Sequence, residues 1–387
     1  MLNTLKVILK ENIRQYGMII ALVSIMIFFQ IVTGGILFNP LNITNMILQN
    51  SYILILAIGM LLVIVAFHID LSVGSTVAFV GAISGMLAIN MRINFMLAMV
   101  ISLIAGGLVG AFQGWWISYV KMPAFIVTLG GMLLFRGLTM VILGGKSLAP
   151  YPREFQLIAS GFIPDISSGN SIHLLTLIIG IIGSVLFVLS EWKRRQGHIR
   201  YDFEVLPMKF FIAKLILIIF AINWFTITLA LYKGIPNVLV LLSVLIAVYT
   251  FFTKKTVIGR HIYALGGNEK AASLSGIKTK KLVFWVFVNM GVLAALSGMV
   301  FAARLNAATP KAGTSFELDA IAACFIGGAS TSGGKGTIIG AIIGGLFMGV
   351  LNNGMSLVGL GIDWQQAIKG IVLLLAVAFD LMTKSKE

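Results

Sequence analysis

Uninterrupted apolar runs of about 20 residues recur along the chain, with polar residues gathered in the gaps between them. Each run is long enough to cross a hydrocarbon layer about 30 Å thick. The pattern predicts helices near Tyr16–Leu37, Ser51–Phe67, Val73–Asn90, Phe95–Gln113, Ala124–Leu143, Ser171–Ser190, Phe210–Tyr232, Ile235–Phe252, Leu282–Ala303, Leu318–Gly328, Ile338–Leu351 and Gln365–Met382. The expected fold is therefore an all-α polytopic membrane bundle of about 12 spans. Two of these, Leu318–Gly328 and Ile338–Leu351, are short and joined by the glycine-dense run Gly327–Gly336. Half-helices or a re-entrant turn would also fit there, which leaves ten spans. Both counts put the N- and C-termini in the cytoplasm.

Composition removes the alternatives to a membrane protein. Of 387 residues, 59% are apolar and 11% charged, against about 25% charged in soluble domains, which excludes a water-soluble enzyme. The net charge of +15 raises nucleic acid as a partner until the positions of the bases are read. Threaded with the N-terminus inside, 19 lysines and arginines fall in inner loops and 6 in outer ones. That is the positive-inside asymmetry, and it accounts for the charge without nucleic acid. Lys6, Lys10 and Arg14 resemble the basic start of a signal peptide, but the apolar run from Tyr16 to Phe38 is too long for one and is read as a retained first helix. The single cysteine, Cys324, allows no intrachain disulfide, and no metal-ligand spacing is present.

Glycines recur every fourth residue at Gly106, Gly110 and Gly114, and again at Gly336, Gly340 and Gly344. Each set lies on one helix face and lets a neighbouring backbone approach closely. No sequence repeat is strong enough to assert, although polar strings at Ile69–Gly74 and Glu317–Ala320 each precede a short apolar span, which hints at two related halves.

Charges near hydrocarbon are expensive, so their positions carry information. Asp70 and Ser72 have two readings, as caps accepting from the free N–H groups of the next helix or as parts of a gate or cavity. Glu317 and Asp319 read as acidic N-terminal charges on a helix, and their expected place on the outer face suits contact with a partner docking there. Asn289, Asn352, Asn353 and Gln365 or Gln366 would hydrogen-bond either neighbouring helices or a hydroxylated solute. Two phosphate-loop near-misses fail. Gly144–Ser147 has Met140 where the first glycine is needed, and Gly334-Lys335 has Ala329 there and Gly336 in place of Ser/Thr. No motif for enzymatic chemistry is visible.

The loop between Lys254 and Lys281 is basic at both ends. Its centre opens with Asn268, continues through Glu269, Lys270, Ala271, Ala272 and Leu274, and closes at Gly276. This order predicts a capped helix of about two turns with a glycine stop. The small, alanine-rich centre suits a protein groove better than a lipid surface.

With this loop the chain resembles the permease subunit of bacterial monosaccharide ATP-binding-cassette importers. The resemblance rests on IDLSVGS at Ile69–Ser75, PAFIVTLGGMLLFRG at Pro123–Gly137, GRHIYALGGNEKAASLSGI at Gly259–Ile277, ELDAIAACFIGGASTSGGKGT at Glu317–Thr337 and LNNGMSL at Leu351–Leu357. It implies one transmembrane permease domain over 1–387, with the coupling loop at 254–281. Glu269–Gly276 is then similar to the coupling helix that inserts into a separate cytoplasmic ATPase. Lys270 interrupts the usual Glu-Ala-Ala order, so Ala271, Ala272 and Gly276 keep the spacing while Glu269 fits less well. Further implied are a second permease subunit, more readily the same chain than a different one, and an extracytoplasmic sugar-binding protein. No cofactor is expected on this chain; ATP and magnesium belong to the ATPase. The 171–232 segment, two extra spans with a basic loop, resembles the xylose and multiple-monosaccharide branch. It tilts the expected substrate toward xylose, arabinose, galactose or glucose, imported across the bacterial cell (inner) membrane. The rivals are an ion-coupled secondary transporter and, within the class, a permease for another small solute.

Overall fold

The computed structural model describes residues 13–166, 172–201, 203 and 205–384; Lys6, Lys10 and Lys386 lie outside them. Fifteen α-helices are seen among the described residues: α1 (Ile13–Val32), α2 (Pro40–Val65), α3 (Val73–Gly85, continued by a π turn over Met86–Asn90), α4 (Phe95–Ser118), α5 (Ala124–Leu143), α6 (Arg153–Ser160), α7 (Leu174–Arg200), α8 (Met208–Ala230), α9 (Asn237–Lys255), α10 (Val257–Gly267), α11 (Glu269–Leu274), α12 (Thr279–Leu305), α13 (Phe316–Ile326), α14 (Ile338–Leu357) and α15 (Ile362–Lys384). Ten of them are long and apolar enough to cross a membrane. Of the short pair, α13, with 11 residues, reaches about 16 Å and is a half-helix. Its neighbour α14 is a full-length helix of 20 residues, not a second half.

Boundaries follow local chemistry. The Asn39 side chain caps α2 by accepting from the Leu41 N–H, with Pro40 at the first helical position; Asn94 caps α4 in the same way. Prolines 123, 207 and 236 immediately precede α5, α8 and α9. The helix expected at Ser51 starts 11 residues earlier because polar Asn42 and Asn50 are satisfied internally. Asn42 donates to Leu37 O at 2.9 Å and Asn50 to Met46 O at 2.8 Å. Likewise α7 outruns its predicted end at Ser190, since charged residues continue a helix past the apolar layer. The short helices α6 and α10 are amphipathic and leave no apolar run to find.

At the centre, α2 and α12 lie antiparallel, with Gly59 against Met290 and Leu293, and the Ser297 hydroxyl donating to Tyr52 O at 3.2 Å. Apolar on all sides, α2 is almost wholly buried. The glycine face of α4 packs on α12: added Cβ atoms at Gly106 and Gly110 would collide with the Gly291 and Phe287 carbonyls. On the other side Gly345 and Gly349 of α14 meet Leu54 and Asn50 of α2, while Gly344 meets Ala323 of α13. The order long helix, short helix, glycine-seamed helix, further helix thus occurs twice, as α2–α5 and as α12–α15, running in opposite directions. The N-termini of the two short helices meet, with Gly74 of α3 backbone to backbone with Gly313, just before α13. Between the two sets, α7 and α8 form a hairpin whose members pack mainly on each other: Ser184 accepts from Asn223 at 2.9 Å, and Gly180 faces Thr226.

Candidate functional site

Two places concentrate the polar chemistry. The first is the junction of α3 and α13, deep in the bundle. Asp70 and Ser72, 3% and 0% exposed, bond each other: Asp70 Oδ1 accepts from the Ser72 N–H at 2.8 Å and its hydroxyl at 2.7 Å. Ser72 Oγ in turn accepts from Gln113 Nε2 of α4 at 2.6 Å. The Asp70 carboxylate therefore closes a turn and holds Ser72, and neither side chain caps α3 as the capping reading required.

Across the junction, Asp319 of α13 is 2% exposed and paired with Lys369 of α15, Nζ lying 3.0 Å from Oδ1 and 3.2 Å from Oδ2. The Tyr52 hydroxyl donates to Oδ2 at 3.4 Å, and the Tyr52 ring stacks on Phe316 at 3.8 Å between centroids. Tyr52 lies midway along α2, which fixes the depth of the pair. Arg136 of α5 donates to Pro310 O at 3.2 Å and Ala312 O at 2.5 Å, holding the segment that leads into α13. Its charge also acts on half-buried Glu317. Two cations from equivalent helices thus clamp the start of α13, and three carboxylates lie near helix N-termini, where the macrodipoles favour negative charge. Asp319 is committed to this ion pair inside the bundle and is not displayed at a surface. Gln113, Arg136 and Lys369 escaped the sequence reading. A single charge inside an apolar run was the signal available for the last two.

The Asn candidates separate. Asn353 and Asn42 exchange reciprocal side-chain hydrogen bonds of 3.0 Å, tying α14 to α2. Asn289 of α12 accepts from the Tyr249 hydroxyl of α9 and leaves Nδ2 without a partner, and Asn352 leaves Oδ1 without one. Gln365 donates to Leu360 O at 2.9 Å, turning the chain into α15.

The second place is the end of the bundle bearing α10 and α11. Asn268 caps α11 by accepting from the Ala271 N–H at 3.0 Å, and Gly276 takes a φ of +86°, a left-handed conformation that glycine adopts without strain. Ala272 is buried against the bundle, while Glu269, Ala271 and Gly276 are exposed and Leu274 is 89% exposed. Behind it α10 rests on two loops. A Cβ at Gly266 would collide with the Val65 carbonyl at the end of α2, and the Tyr263 hydroxyl donates to Gly336 O at 2.8 Å. Gly334 N–H also donates to Val65 O at 2.9 Å. Asp380 of α15 accepts from Thr331 N at 3.2 Å and Oγ1 at 3.1 Å in the same loop. A push on α11 therefore reaches α2, and through the α13–α14 loop it reaches α13 and α15.

Among the described residues no group of three His, Cys, Asp or Glu side chains is placed to hold a metal.

The family described as the permease component of branched-chain amino acid transport systems matches residues 42–377. The xylose transport system permease protein XylH of Haemophilus influenzae is 38% identical over 97% of this chain and 98% of its own length. The Escherichia coli XylH is 36% identical over 97% of this chain and 94% of its own length. The ribose import permease protein RbsC of Escherichia coli is 34% identical over 88% of this chain and 85% of its own. No solved structure matches. On a match through both polar sites and identities above a third over nearly its whole length, the chain belongs to the permease family of ATP-binding-cassette importers, close to its xylose permeases.

Proposed function

We propose that this chain is the membrane conduit of an importer for a neutral monosaccharide, with xylose, arabinose, galactose or glucose the expected cargo. Two copies would enclose one pathway, with α11 facing the cytoplasm, where an ATPase subunit seats it. A sugar-binding protein would deliver substrate to the opposite face. ATP and magnesium act on the ATPase, and hydrolysis is catalysed there.

The observation that carries this reading is α11 itself. A six-residue helix, capped at one end and stopped by glycine at the other, holds an apolar Leu274 almost wholly in solvent. An exposed leucine on such a rigid projection suits insertion into a partner's groove. The contacts of α10 give the displacement a route to the α3–α13 junction. There the start of α3 touches the segment leading into α13 backbone to backbone, Gly74 against Gly313, so the two packings differ by separation of a tight contact. The paired charges of that junction are consistent with a neutral solute, since a charged one needs a free counter-ion.

The test uses the chain with its ATPase and binding protein in vesicles. Leu274→Arg and Gly276→Trp should each abolish ATP-driven sugar uptake while leaving the chain inserted. Unimpaired uptake in both removes α11 as the coupling element. Sugar accumulation by the chain alone, driven by an ion gradient, would remove the importer reading altogether.

A further inference from the structure

The α7–α8 hairpin has no part in the machinery described above, yet it ends in a concentrated basic cavity. At the α11 end of the bundle, the last turns of α7 and first turns of α8 enclose about 210 Å³, lined by Glu191, Arg194, Arg195, His198, Phe211 and Lys214 among others. Its groups are held in place. Lys214 Nζ lies 2.7 Å from Glu191 Oε2, Arg195 donates to Leu206 O at 2.5 Å, and its guanidinium lies 4.7 Å from the centre of the Phe211 ring. Arg194 lies 3.7 Å from Glu191, and its side chain is 69% exposed. Among the described residues that line the cavity, three permanent cations thus face one carboxylate. Across residues 191–214, six Lys or Arg stand against three Asp or Glu, two of the acids, Asp202 and Glu204, lying outside the described residues.

The depth of this cavity selects its occupant. The apolar part of α7, Leu174 to Ser190, covers about 25 Å, so the following turns emerge at headgroup level. Aromatic rings mark the same level. Trp192 is exposed there and lies 6.1 Å from Phe211 between centroids, as expected of an interfacial belt. Below the cations, both helices present exposed apolar side chains such as Leu186, Leu189, Ile216 and Leu217.

We propose that the α7–α8 cavity is a site for an anionic membrane phospholipid. Arg194, Arg195 and Lys214 hold its phosphate, and its acyl chains lie along the apolar face beneath. Basic pockets at such helix ends suit anionic headgroups, and the two surplus positive charges among the described lining residues match a headgroup carrying one or two phosphates. Glu191 is a positioning residue that aims Lys214.

The test is lipid retention by the full chain, measured by mass spectrometry after purification in a neutral detergent and exchange with defined lipid. The wild type should retain phosphatidylglycerol or cardiolipin over phosphatidylcholine. Each basic side chain near an anionic headgroup is worth about fivefold in affinity. Arg194→Gln should therefore weaken retention about fivefold, and Arg194→Gln with Lys214→Gln about 25-fold. Arg194→Lys should keep it, as should Lys233→Gln at the far end of α8. Inorganic phosphate should not displace the lipid, because the acyl chains supply the rest of the affinity. Equal retention of phosphatidylcholine, displacement by phosphate alone, or the same loss in Lys233→Gln would each overturn the assignment. The Arg194 side chain is 69% exposed, so its replacement tests the site in a folded chain.

Discussion

The buried pair between Asp319 and Lys369 offers the sharpest test of how α13 is held. Lys369→Met removes the cation and leaves a carboxylate 2% exposed, with only the 3.4 Å bond from Tyr52 to offset its charge. Breaking one side of a buried pair costs about 3–5 kcal/mol, because the other charge is stranded. Replacing both members with groups of similar size is often close to neutral. The expected result is a strongly destabilised Lys369→Met, a comparable loss in Asp319→Leu, and recovery of most of that loss in the double variant. The coupling between the two sites should then be several kcal/mol. Denaturant unfolding of the chain in lipid nanodiscs, followed by tryptophan fluorescence, gives the four free energies of the cycle. Additive losses, with the double variant as unstable as the sum of the singles, would refute the claim that this pair anchors α13 to α15.

Further outcomes follow from the same geometry. Gly110→Val should destabilise the bundle by about 1–3 kcal/mol or more, because its Cβ meets the Phe287 carbonyl and Val288 Cα. Gly137→Ala, whose Cβ meets nothing within 4 Å, should be neutral or slightly stabilising; equal damage from both would refute the seam. At the opposite end of the hairpin, Asp165 accepts from the Leu174 and Leu175 N–H groups at 3.2 and 3.0 Å. The bond from Leu175, followed by those from Leu174 and Ile166, holds its carboxyl below the ordinary carboxylate value. A lowered value stabilises the fold above the unfolded-state pKa and is lost as pH falls through the folded one. Hydrogen exchange at residues 174 and 175 should therefore accelerate between neutral and strongly acidic solution, after correction for intrinsic rates, and Asp165→Ala should exchange fast throughout. Asn353→Leu should leave Asn42 Oδ1 without its donor, its Nδ2 keeping only Leu37 O, and lower the melting temperature, while Asn353→Leu with Asn42→Leu should restore part of it.

The legible features were those that depend on local order. The Asn268 cap, the Ala271-Ala272 step and the Gly276 stop marked α11 to within a residue. Ala124–Leu143 was found at its observed limits, because Pro123 and Gly144 delimit it. Less legible were elements whose polar residues find partners far along the chain. Asn42 reaches Asn353, so the start of α2 looked like a loop. Asp319 looked like an outer-surface charge because its partner Lys369 is 50 residues away and on a different helix.

Alone, the order of apolar and polar residues determined that the chain is a helical membrane bundle, roughly where its helices run, and which loop would carry a capped projection. Hydrophobic length, capping and glycine spacing act over a few neighbouring residues, so a linear reading contains them. Only the tertiary structure decided that Gly74 would touch Gly313, that two oppositely directed sets of helices would interlock, and that Arg136 and Lys369 would clamp one half-helix. Those contacts join residues tens to hundreds of positions apart, and each charge could be tolerated there only because folding brought it an opposite charge or a carbonyl.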